Sequence, residues 1–194
     1  MRSENQTFIE AARRAQLAQC AAEVIAEGGL RKASMVRIAE RAGVSVGVIS
    51  YHFGNKAGLI EAVVGEVARA AVELMEPKIV SQPTAAAGLR ALITGNLEFM
   101  QSHPEGIKAV LEIVRADAGV YAEQGAKAVT DVQKVLHWGQ QTGEFRAFDT
   151  RVMAVAVRAA IDAVPPLITP DLDLTAYGEQ LADLFDRATR KEAG

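Results

Sequence analysis

The sequence predicts an all-α protein, and three observations support this fold class. Residues that favour helices, chiefly Ala, Leu, Glu, Arg and Gln, dominate almost every segment of the 194-residue chain. Apolar residues recur at helical spacing, while no alternating strand pattern persists. Glycines, prolines and capping residues divide these patterns into about nine helices, and no internal repeat is visible.

The N-terminal region is expected to hold three helices in succession. The first ends at the glycine pair that begins with Gly28. The second spans roughly residues 34–42 and begins at Ser34, whose hydroxyl is suited to cap a helix. The third spans roughly residues 45–52 and follows a turn at Gly43, where a positive φ is expected.

Longer helices are predicted for the rest of the chain. A fourth starts at Lys56, after the capping residue Asn55, and runs to about Pro77. The clearest break is the segment VSQPT at residues 80–84, where we place a domain boundary. Beyond it, the predicted helices are approximately 84–101, 104–116, 119–141, 149–164 and 173–191.

Composition argues against several classes of protein. Hydrophobic residues make up 49% and charged residues 23%, which fits a globular protein and not a disordered one. Charges interrupt every window of about 18 residues, so no membrane span is predicted. Arg13 and Arg14 interrupt the weak apolar run near the N-terminus, so no signal peptide is predicted and the expected location is cytoplasmic. The single cysteine, Cys20, cannot form an internal disulfide.

No catalytic or cofactor site is apparent in the sequence. The three histidines, His52, His103 and His137, are scattered, and none belongs to a cluster with metal-ligand spacing. No glycine loop of the kind that cradles phosphate appears. We therefore expect no metal and no cofactor, and we expect that the chain is not an enzyme.

Charge is unevenly distributed along the chain. Residues 1–56 carry eight Lys/Arg and five Asp/Glu, whereas the remaining residues carry thirteen and nineteen, although the net charge is only −3. A basic N-terminal part can bind phosphate while an acidic remainder keeps the protein soluble. Differences of this size are common between halves of ordinary proteins, so the asymmetry matters only together with the motif that follows.

Residues 34–56 read SMVRIAERAGVSVGVISYHFGNK and predict a helix–turn–helix. In such motifs the second helix enters the major groove of DNA. Exposed valines can contact thymine methyl groups, and hydroxyl, imidazole and ammonium groups can contact phosphates or base edges. The candidate DNA-binding residues are Ser34, Arg37, Ser45, Val46, Gly47, Val48, Ser50, Tyr51, His52 and Lys56.

Each of these residues also has a purely structural interpretation. Tyr51 could be an ordinary half-buried tyrosine, and a lone histidine such as His52 is more often structural than a base contact. Arg37 could belong to a solvated helix face, and Ser34 could act as a cap alone. The whole arrangement at fixed spacing, rather than any single residue, favours the DNA-binding interpretation.

The complete motif resembles the TetR family of transcriptional regulators, over roughly residues 11–71. The resemblance rests on Gly29, Ser34, Ile38-Ala39, Ala42-Gly43-Val44-Ser45, Gly47, His52-Phe53 and Lys56, with Leu59 following. Ser50 stands where the family usually has a tyrosine. This variant of the motif is similar to the branch that includes the betaine-type (BetI-like) repressors. The choline ligand of that branch is not carried over. Several convergent aromatic side chains would be needed to bind a quaternary ammonium, and aromatics make up only 5% of the chain.

The resemblance implies a helix–turn–helix DNA-binding domain at residues 1–56, a connecting helix and linker at 57–82, and a helical ligand-binding and dimerisation domain at 83–194. It also implies a regulator, most often a repressor, that binds a palindromic operator in double-stranded DNA as a homodimer. An unidentified small-molecule effector would release it. Two alternatives remain open: a regulator that responds to a protein partner instead of a small ligand, and a small-molecule-binding protein on the same scaffold.

Apolar stripes in the C-terminal region can enclose either a core or a pocket, and a core is the commoner outcome. The candidate pocket residues lie on or near these stripes and are polar or aromatic except for one methionine, namely Phe99, Met100, His103, Tyr121, His137, Trp138 and Gln141. Small and apolar residues in the last two helices permit close packing, either within one subunit or across a dimer. The candidate dimer residues are Val155, Ala159, Ile161, Leu181, Leu184 and Phe185.

Overall fold

The structure, a computed structural model, describes residues 2–191, with side chains described from residue 9 onward. Within this range the chain forms nine α-helices, which confirms the all-α prediction. They are α1 (Arg2–Gly28), α2 (Met35–Ala42), α3 (Val46–Phe53), α4 (Lys56–Val80), α5 (Ala85–Ser102), α6 (Pro104–Ala116), α7 (Ala122–Gln141), α8 (Thr150–Asp162) and α9 (Leu174–Thr189). Two short 3₁₀ turns complete the described part, at Ala118–Tyr121 and Pro165–Leu167.

The predicted caps of the N-terminal helices are present. The hydroxyl of Ser34 accepts a hydrogen bond from the backbone N–H of Arg37 at 3.2 Å, and caps α2. The hydroxyl of Ser45 accepts one from the backbone N–H of Val48 at 3.4 Å, and caps α3. Between the two helices Gly43 has φ +64°, a left-handed conformation that other residues rarely adopt. Local chemistry therefore determines where α2 ends and α3 begins.

Two helix boundaries differ from the predicted ones by three residues. The helix α4 continues past Pro77 and ends at Val80. A proline so near the end of a helix removes one hydrogen bond without disrupting a long run of later ones. The helix α7 starts at Ala122 instead of residue 119, because the carboxylate of Asp117 accepts a hydrogen bond from the N–H of Gly119 at 2.8 Å and starts a 3₁₀ turn.

The chain folds into two compact units. The N-terminal unit comprises the residues up to Ala70 together with His103–Ala122. The C-terminal unit comprises Ala71–Ser102 together with the residues from Glu123 onward. The helix α4 contributes residues to both units.

The helix α6 belongs to the N-terminal unit, although it lies within the predicted C-terminal domain of residues 83–194. Ala109 and Ile113 of α6 are fully buried in the core that α1 organises. The predicted division follows chain order, whereas the packing of α6 against α1 joins segments far apart in sequence. The compact units therefore differ in this respect from the predicted domains.

The core of the N-terminal unit is built around α1. Leu17, Ala21 and Ile25 recur at helical spacing and are fully buried. Ile38 of α2 and Ile49 of α3 pack into the same core. Helices of eight residues are unstable alone in water, and burying a side chain of this size contributes about 1.5–3 kcal/mol. The core therefore holds α2 and α3 in place.

The central helix of the C-terminal unit is α5, which is buried along most of its length. The helices α8 and α9 pack against it. Glycines permit close approach at two points. A Cβ added to Gly88 would lie 3.2 Å from the ring of Trp138, and one added to Gly178 would lie 3.2 Å from Leu97. Trp138 thus packs α7 onto α5.

Candidate nucleic-acid interface

The helices α2 and α3 each present one buried face and one exposed face. Ile38 and Ala39 of α2 and Ile49 and Phe53 of α3 are all buried in the N-terminal core. The turn at Gly43 joins the two helices, so they form the expected helix–turn–helix. Because one side of each helix packs inward, the residues on the opposite sides face solvent.

The solvent-facing side of this motif carries apolar and aromatic side chains. Tyr51 is 76% exposed, and Val46 is also exposed. On α2, Val36 is 54% exposed. Val36 is not among the predicted residues, although its position two residues before the buried Ile38 puts it on the opposite side of the helix. Covering exposed apolar surface with a partner is favourable in free energy, because it removes that surface from water. These residues therefore mark the candidate interface.

Gly47 and Val48 lie in the first turn of α3. The nearest atom to a Cβ added at Gly47 would be the Ser45 hydroxyl at 3.6 Å, so packing within the protein does not require a glycine there. A glycine at this position lets another molecule approach the backbone closely. Val48 is half-buried and packs against the N-terminal core, which was not predicted. Val46 therefore offers more surface to DNA than Val48 does.

Two of the predicted basic residues are engaged within the protein. The Nζ of Lys56 donates a hydrogen bond to the backbone carbonyl of Leu30 at 3.0 Å. The guanidinium of Arg37 donates one to the backbone carbonyl of Lys32 at 3.4 Å, and Arg37 is exposed. Lys56 thus joins the loop before α2 to the start of α4, a structural role that the sequence pattern does not reveal.

The C-terminal half of α3 is tied to α1. Ser50 and His52 are half-buried, and the ring of His52 lies 5.2 Å from the ring of Tyr51 in an edge-to-face arrangement. The backbone carbonyl of His52 accepts a hydrogen bond from the guanidinium of Arg14 on α1. Arg14 is absent from the predicted site, because a contact between residues this far apart leaves no local pattern in the sequence.

A group of charged side chains joins the end of α2 to α1. The guanidinium of Arg41 pairs with the carboxylates of Glu23 and Glu27. The hydrogen bond from Arg41 lowers the pKa of Glu27 below its ordinary value, and the same bond raises the pKa of Arg41. Exposed ion pairs contribute little to stability. Their main effect here is to hold Arg41 against α1.

Five of the candidate pocket residues lie in the C-terminal unit. Phe99 and Met100 are buried in α5, and Trp138 packs against the same helix. The Nε2 of His137 lies 2.9 Å from the hydroxyl of the first residue of α8, whereas Gln141 is exposed. The five side chains thus have different surroundings, from the centre of the core to the surface.

The other two pocket candidates, His103 and Tyr121, lie in the N-terminal unit. His103 is exposed and immediately precedes α6, and Tyr121 is half-buried against the N-terminal core. Their predicted grouping with the other candidates assumes a C-terminal domain that begins at residue 83. Because α6 packs on α1, the structure does not bring all seven residues together within one unit.

The dimer candidates on α8 and α9 divide into exposed and buried residues. Ile161 and Phe185 are buried within the C-terminal unit, so their side chains offer little surface to a second copy. Helical spacing alone does not tell which side of α8 or α9 faces α5. The remaining candidates are at least partly exposed, namely Val155, Ala159, Leu181 and Leu184.

No helix between residues 2 and 191 is long and apolar enough to cross a membrane. The described side chains include no group of three His, Cys, Asp or Glu that could hold a metal ion. Cys20 of α1 is half-buried, and burial raises the pKa of its thiol, which makes it a weak nucleophile at neutral pH.

Sequence comparison relates the helix–turn–helix region to known regulators. Residues 18–63 match the family model of bacterial regulatory proteins of the tetR family. The HTH-type transcriptional regulator BetI of Cronobacter sakazakii is 34% identical over 102 residues, which are 52% of this chain and 50% of that protein. BetI of Escherichia coli K12 / DH10B is 33% identical over 105 residues, which are 53% of this chain and 54% of that protein. The chain thus spans about half the length of these curated relatives.

Solved structures share the fold over nearly the whole chain. The fatty acid degradation regulator FadR of Bacillus halodurans has a TM-score of 0.81 at 22% identity, covering 88% of this chain and 96% of that one. FadR of Bacillus subtilis, in complex with stearoyl-CoA, has a TM-score of 0.79 at 24% identity, covering 87% and 95%. The ketosteroid transcriptional regulator KstR2 of Mycobacterium tuberculosis has a TM-score of 0.71 at 21% identity, covering 93% and 96%. At these identities the likeness establishes the fold.

Proposed function

The chain belongs to the TetR family of transcriptional regulators, and we propose that it is a repressor that binds a palindromic operator as a homodimer and releases it when a small molecule binds. The matched family model describes bacterial regulatory proteins, so the proposal is of a regulator and not of an enzyme. The family model matches residues 18–63, which include the helix–turn–helix, so this match supports the DNA-reading part of the proposal.

The exposure of Tyr51 is the observation on which the DNA-binding proposal rests. Tyr51 stands on the face of α3 opposite the buried Ile49 and Phe53. A large aromatic side chain left in solvent between the two buried residues of a short helix suggests that a partner covers it. Its phenol can donate a hydrogen bond to a phosphate or a base edge, while its ring contacts sugar or methyl carbons.

The neighbouring residues suit the same partner. The methyl groups of Val46 can contact a thymine methyl in the major groove, and Gly47 permits close approach of the α3 backbone. Arg37, exposed near the start of α2, can pair with a backbone phosphate while it keeps its contact with the Lys32 carbonyl. Base contacts from α3 and phosphate contacts from α2 together fit an operator half-site.

The homodimer part of the proposal is supported by exposed apolar surface on α8 and α9. Val152 is 68% exposed and Leu184 is 60% exposed, and Val152, Val155 and Ala159 recur at helical spacing on one side of α8. One helix–turn–helix reads only a few base pairs, so a specific site needs two of them related by a twofold axis. A self-complementary face on each copy would supply that axis.

Release by a small molecule requires that the ligand bind one state of the dimer more tightly than the other. Coupling energies of this kind are typically about 1–3 kcal/mol. FadR of B. subtilis, which shares the fold, was solved in complex with stearoyl-CoA, so the scaffold accommodates a ligand in at least one relative. In this chain, Phe99, Met100 and Trp138 of the C-terminal unit are the candidates for ligand contact.

Selection from a library of randomised DNA duplexes tests the proposal. The purified protein should enrich an inverted repeat whose half-sites are about one helical turn apart, or a multiple of it. Affinity for the enriched duplex should rise steeply as salt falls, because phosphate contacts release counterions. If no duplex is enriched even at low salt, the DNA-binding proposal is wrong.

Two variants sharpen this selection. Tyr51→Ala should fail to enrich the inverted repeat, whereas Val80→Ala, which alters an equally exposed residue on α4, should enrich it as the wild type does.

Compounds are then screened for release of the selected duplex. A compound that releases it identifies the effector class. If no compound does so and a cellular protein does, the alternative of a protein-responsive regulator is favoured.

A further inference from the structure

Arg14 of α1 makes two contacts with the last turn of α3. Its guanidinium donates a hydrogen bond to the backbone carbonyl of His52. Its central carbon lies 4.6 Å from the centroid of the Phe53 ring, in a cation–π arrangement. Both contacts join residues that are far apart in sequence and belong to the N-terminal unit.

The chemistry of a helix end explains why these contacts matter. The last carbonyls of a helix have no partner within the helix, and they carry partial negative charge. A guanidinium satisfies one of them and is attracted by that charge, while its planar face stacks on the Phe53 ring. Phe53 is itself buried in the core. Arg14 therefore contacts the end of α3 at two points, the His52 carbonyl and the Phe53 ring.

The opposite end of α3 is held by different means. Ser45 caps its first turn, and Gly43 sets the angle at which it leaves α2. At the C-terminal end, α3 passes into Gly54, whose φ of +74° ends the helix. Phe53, the bond from the Gly54 N–H to the Ser50 carbonyl and the close approach of the first turn of α4 also hold this end. Among these contacts, Arg14 supplies the one that reaches the end of α3 from α1.

We propose that Arg14 is a positioning residue that fixes the orientation of α3 for sequence-specific DNA recognition. The inference rests on the proposed function, since it concerns how α3 meets DNA. Base readout tolerates little misplacement of the reading side chains, because useful hydrogen bonds and methyl contacts depend strongly on distance and angle. Arg14 keeps Tyr51 and Val46 in one orientation, and its loss lowers the affinity for the specific duplex more than the affinity for other DNA.

A direct contact between Arg14 and a phosphate would behave differently. A phosphate contact adds affinity for every sequence alike, and its removal reduces the salt dependence of binding by about one counterion. Lysine can replace arginine in such a contact, whereas it lacks the planar group that stacks on Phe53 and bonds to the His52 carbonyl. Sequence specificity, salt dependence and lysine substitution therefore separate positioning from direct contact.

The first experiment measures DNA binding of Arg14→Ala and Arg14→Lys at several salt concentrations. The probes are the duplex enriched by the wild-type protein and a scrambled duplex of the same length and composition. Arg13→Ala is the matched control, because the neighbouring Arg13 makes a local hydrogen bond to Gln16. Arg14→Ala should bind the enriched duplex about tenfold more weakly, with the scrambled duplex and the salt dependence almost unchanged. Arg14→Lys should not restore binding.

An equal loss on both duplexes, with reduced salt dependence and rescue by lysine, would overturn the proposal in favour of a phosphate contact. Wild-type binding by Arg14→Ala would also overturn it.

A second experiment needs no DNA and so separates this inference from the proposed function. Backbone amide hydrogen exchange near residues 50–54 should be faster in Arg14→Ala than in the wild type or Arg13→Ala. Unchanged exchange there would overturn the positioning role even if DNA binding is established.

Discussion

A Cβ added to Gly58 would lie 2.3 Å from the backbone carbonyl oxygen of Phe53, a distance that real Cβ atoms do not tolerate. The first turn of α4 thus packs directly against the end of α3. The side chain of Asn55 reinforces this junction, because its oxygen accepts a hydrogen bond from the N–H of Gly58 at 3.1 Å. Gly58 is therefore required by close approach of two backbones.

We predict that Gly58→Ala destabilises the N-terminal unit. The clash is with backbone, so relief requires a shift of α4 relative to α3. Overpacking of this kind typically costs about 1–3 kcal/mol, against a gain of up to about 1 kcal/mol from replacing glycine by alanine in a helix. Unfolding by urea should therefore show a net loss of roughly 1–2 kcal/mol.

A second glycine of α4 provides the control. No atom outside its own helix backbone and chain neighbours lies within 4 Å of a Cβ added to Gly65. Gly65→Ala should stabilise the protein by about 0.5–1 kcal/mol through helix propensity alone. Equal stabilisation by Gly58→Ala and Gly65→Ala would show that the space around Gly58 is larger than the structure indicates.

Gly47 should behave in the opposite way to Gly58. Since the first turn of α3 has room for a methyl group at Gly47, Gly47→Ala should stabilise the free protein by a few tenths of a kcal/mol. The same methyl group would meet DNA if the α3 backbone approaches it closely, so affinity for the selected duplex should fall. Urea unfolding and duplex binding measured on the same preparation test both halves. Unimpaired binding would place the α3 backbone farther from DNA.

Tyr51 is expected to contribute to binding and not to folding. Because its side chain is largely in solvent, Tyr51→Ala should change the free energy of unfolding by less than about 0.5 kcal/mol. The same change should weaken binding of the selected duplex by about tenfold or more. Tyr51→Phe separates the two parts of the side chain. A loss as large as that of alanine would assign the contribution to the hydroxyl, and retained binding would assign it to the ring.

The features of the fold that sequence predicts are those set by local chemistry. The caps at Ser34 and Ser45 and the turn at Gly43 each depend on a residue and its near neighbours, and all three are present. Contacts between distant residues leave no such trace. The bond of Lys56 to the Leu30 carbonyl therefore could not be predicted.

The same limit applies to packing. The pattern of apolar residues in α6 predicts a buried face, but it does not tell which helix will cover that face, and α1 does so. On α8 and α9, the spacing predicts apolar faces, but it does not tell which face packs in the core of the unit and which faces solvent. Ile161 and Phe185 therefore stand among the dimer candidates although the unit's own core encloses them.

Glu144, in the loop before α8, caps α5. Its carboxylate accepts hydrogen bonds from the backbone N–H groups of Ala85 and Ala86, both at 3.1 Å, and from the hydroxyl of Thr142 at 3.0 Å. Burial raises the pKa of Glu144, but these three hydrogen bonds together lower it by more than burial raises it. The pKa of Glu144 therefore lies below its ordinary value. The charged form is thus bound more strongly in the folded state than in the unfolded state.

We predict that Glu144→Gln lowers the free energy of unfolding by about 1 kcal/mol at neutral pH, since it removes the charge at the start of α5. Because the folded-state pKa is depressed, the stabilisation is present above the unfolded pKa of Glu144 and is lost as pH falls through the folded pKa. The difference between wild type and variant should therefore shrink in acid. Urea unfolding between neutral pH and pH of about 3 measures it.

The matched control for this cap is a glutamate on the surface of α5. Glu98 pairs with Lys78, and both side chains are exposed. Glu98→Gln should cost less than about 0.5 kcal/mol, because exposed ion pairs contribute little. A loss at Glu98 equal to that at Glu144 would mean that the cap adds nothing beyond an ordinary surface charge.

The proposed dimer face predicts that Leu184→Glu yields a monomer. Leu184 is exposed in the single chain, so the new carboxylate is solvated there and the fold should remain intact. In a twofold interface each copy would bury one unpaired charge near its symmetry mate, which should weaken association by roughly 100-fold or more. Sedimentation measures the change, and affinity for the palindromic duplex should fall with it, because one copy reads only one half-site.

Val80→Glu changes an exposed valine on α4 and should leave the dimer intact. If Leu184→Glu remains a dimer while Val80→Glu dissociates, the interface lies elsewhere than on α8 and α9.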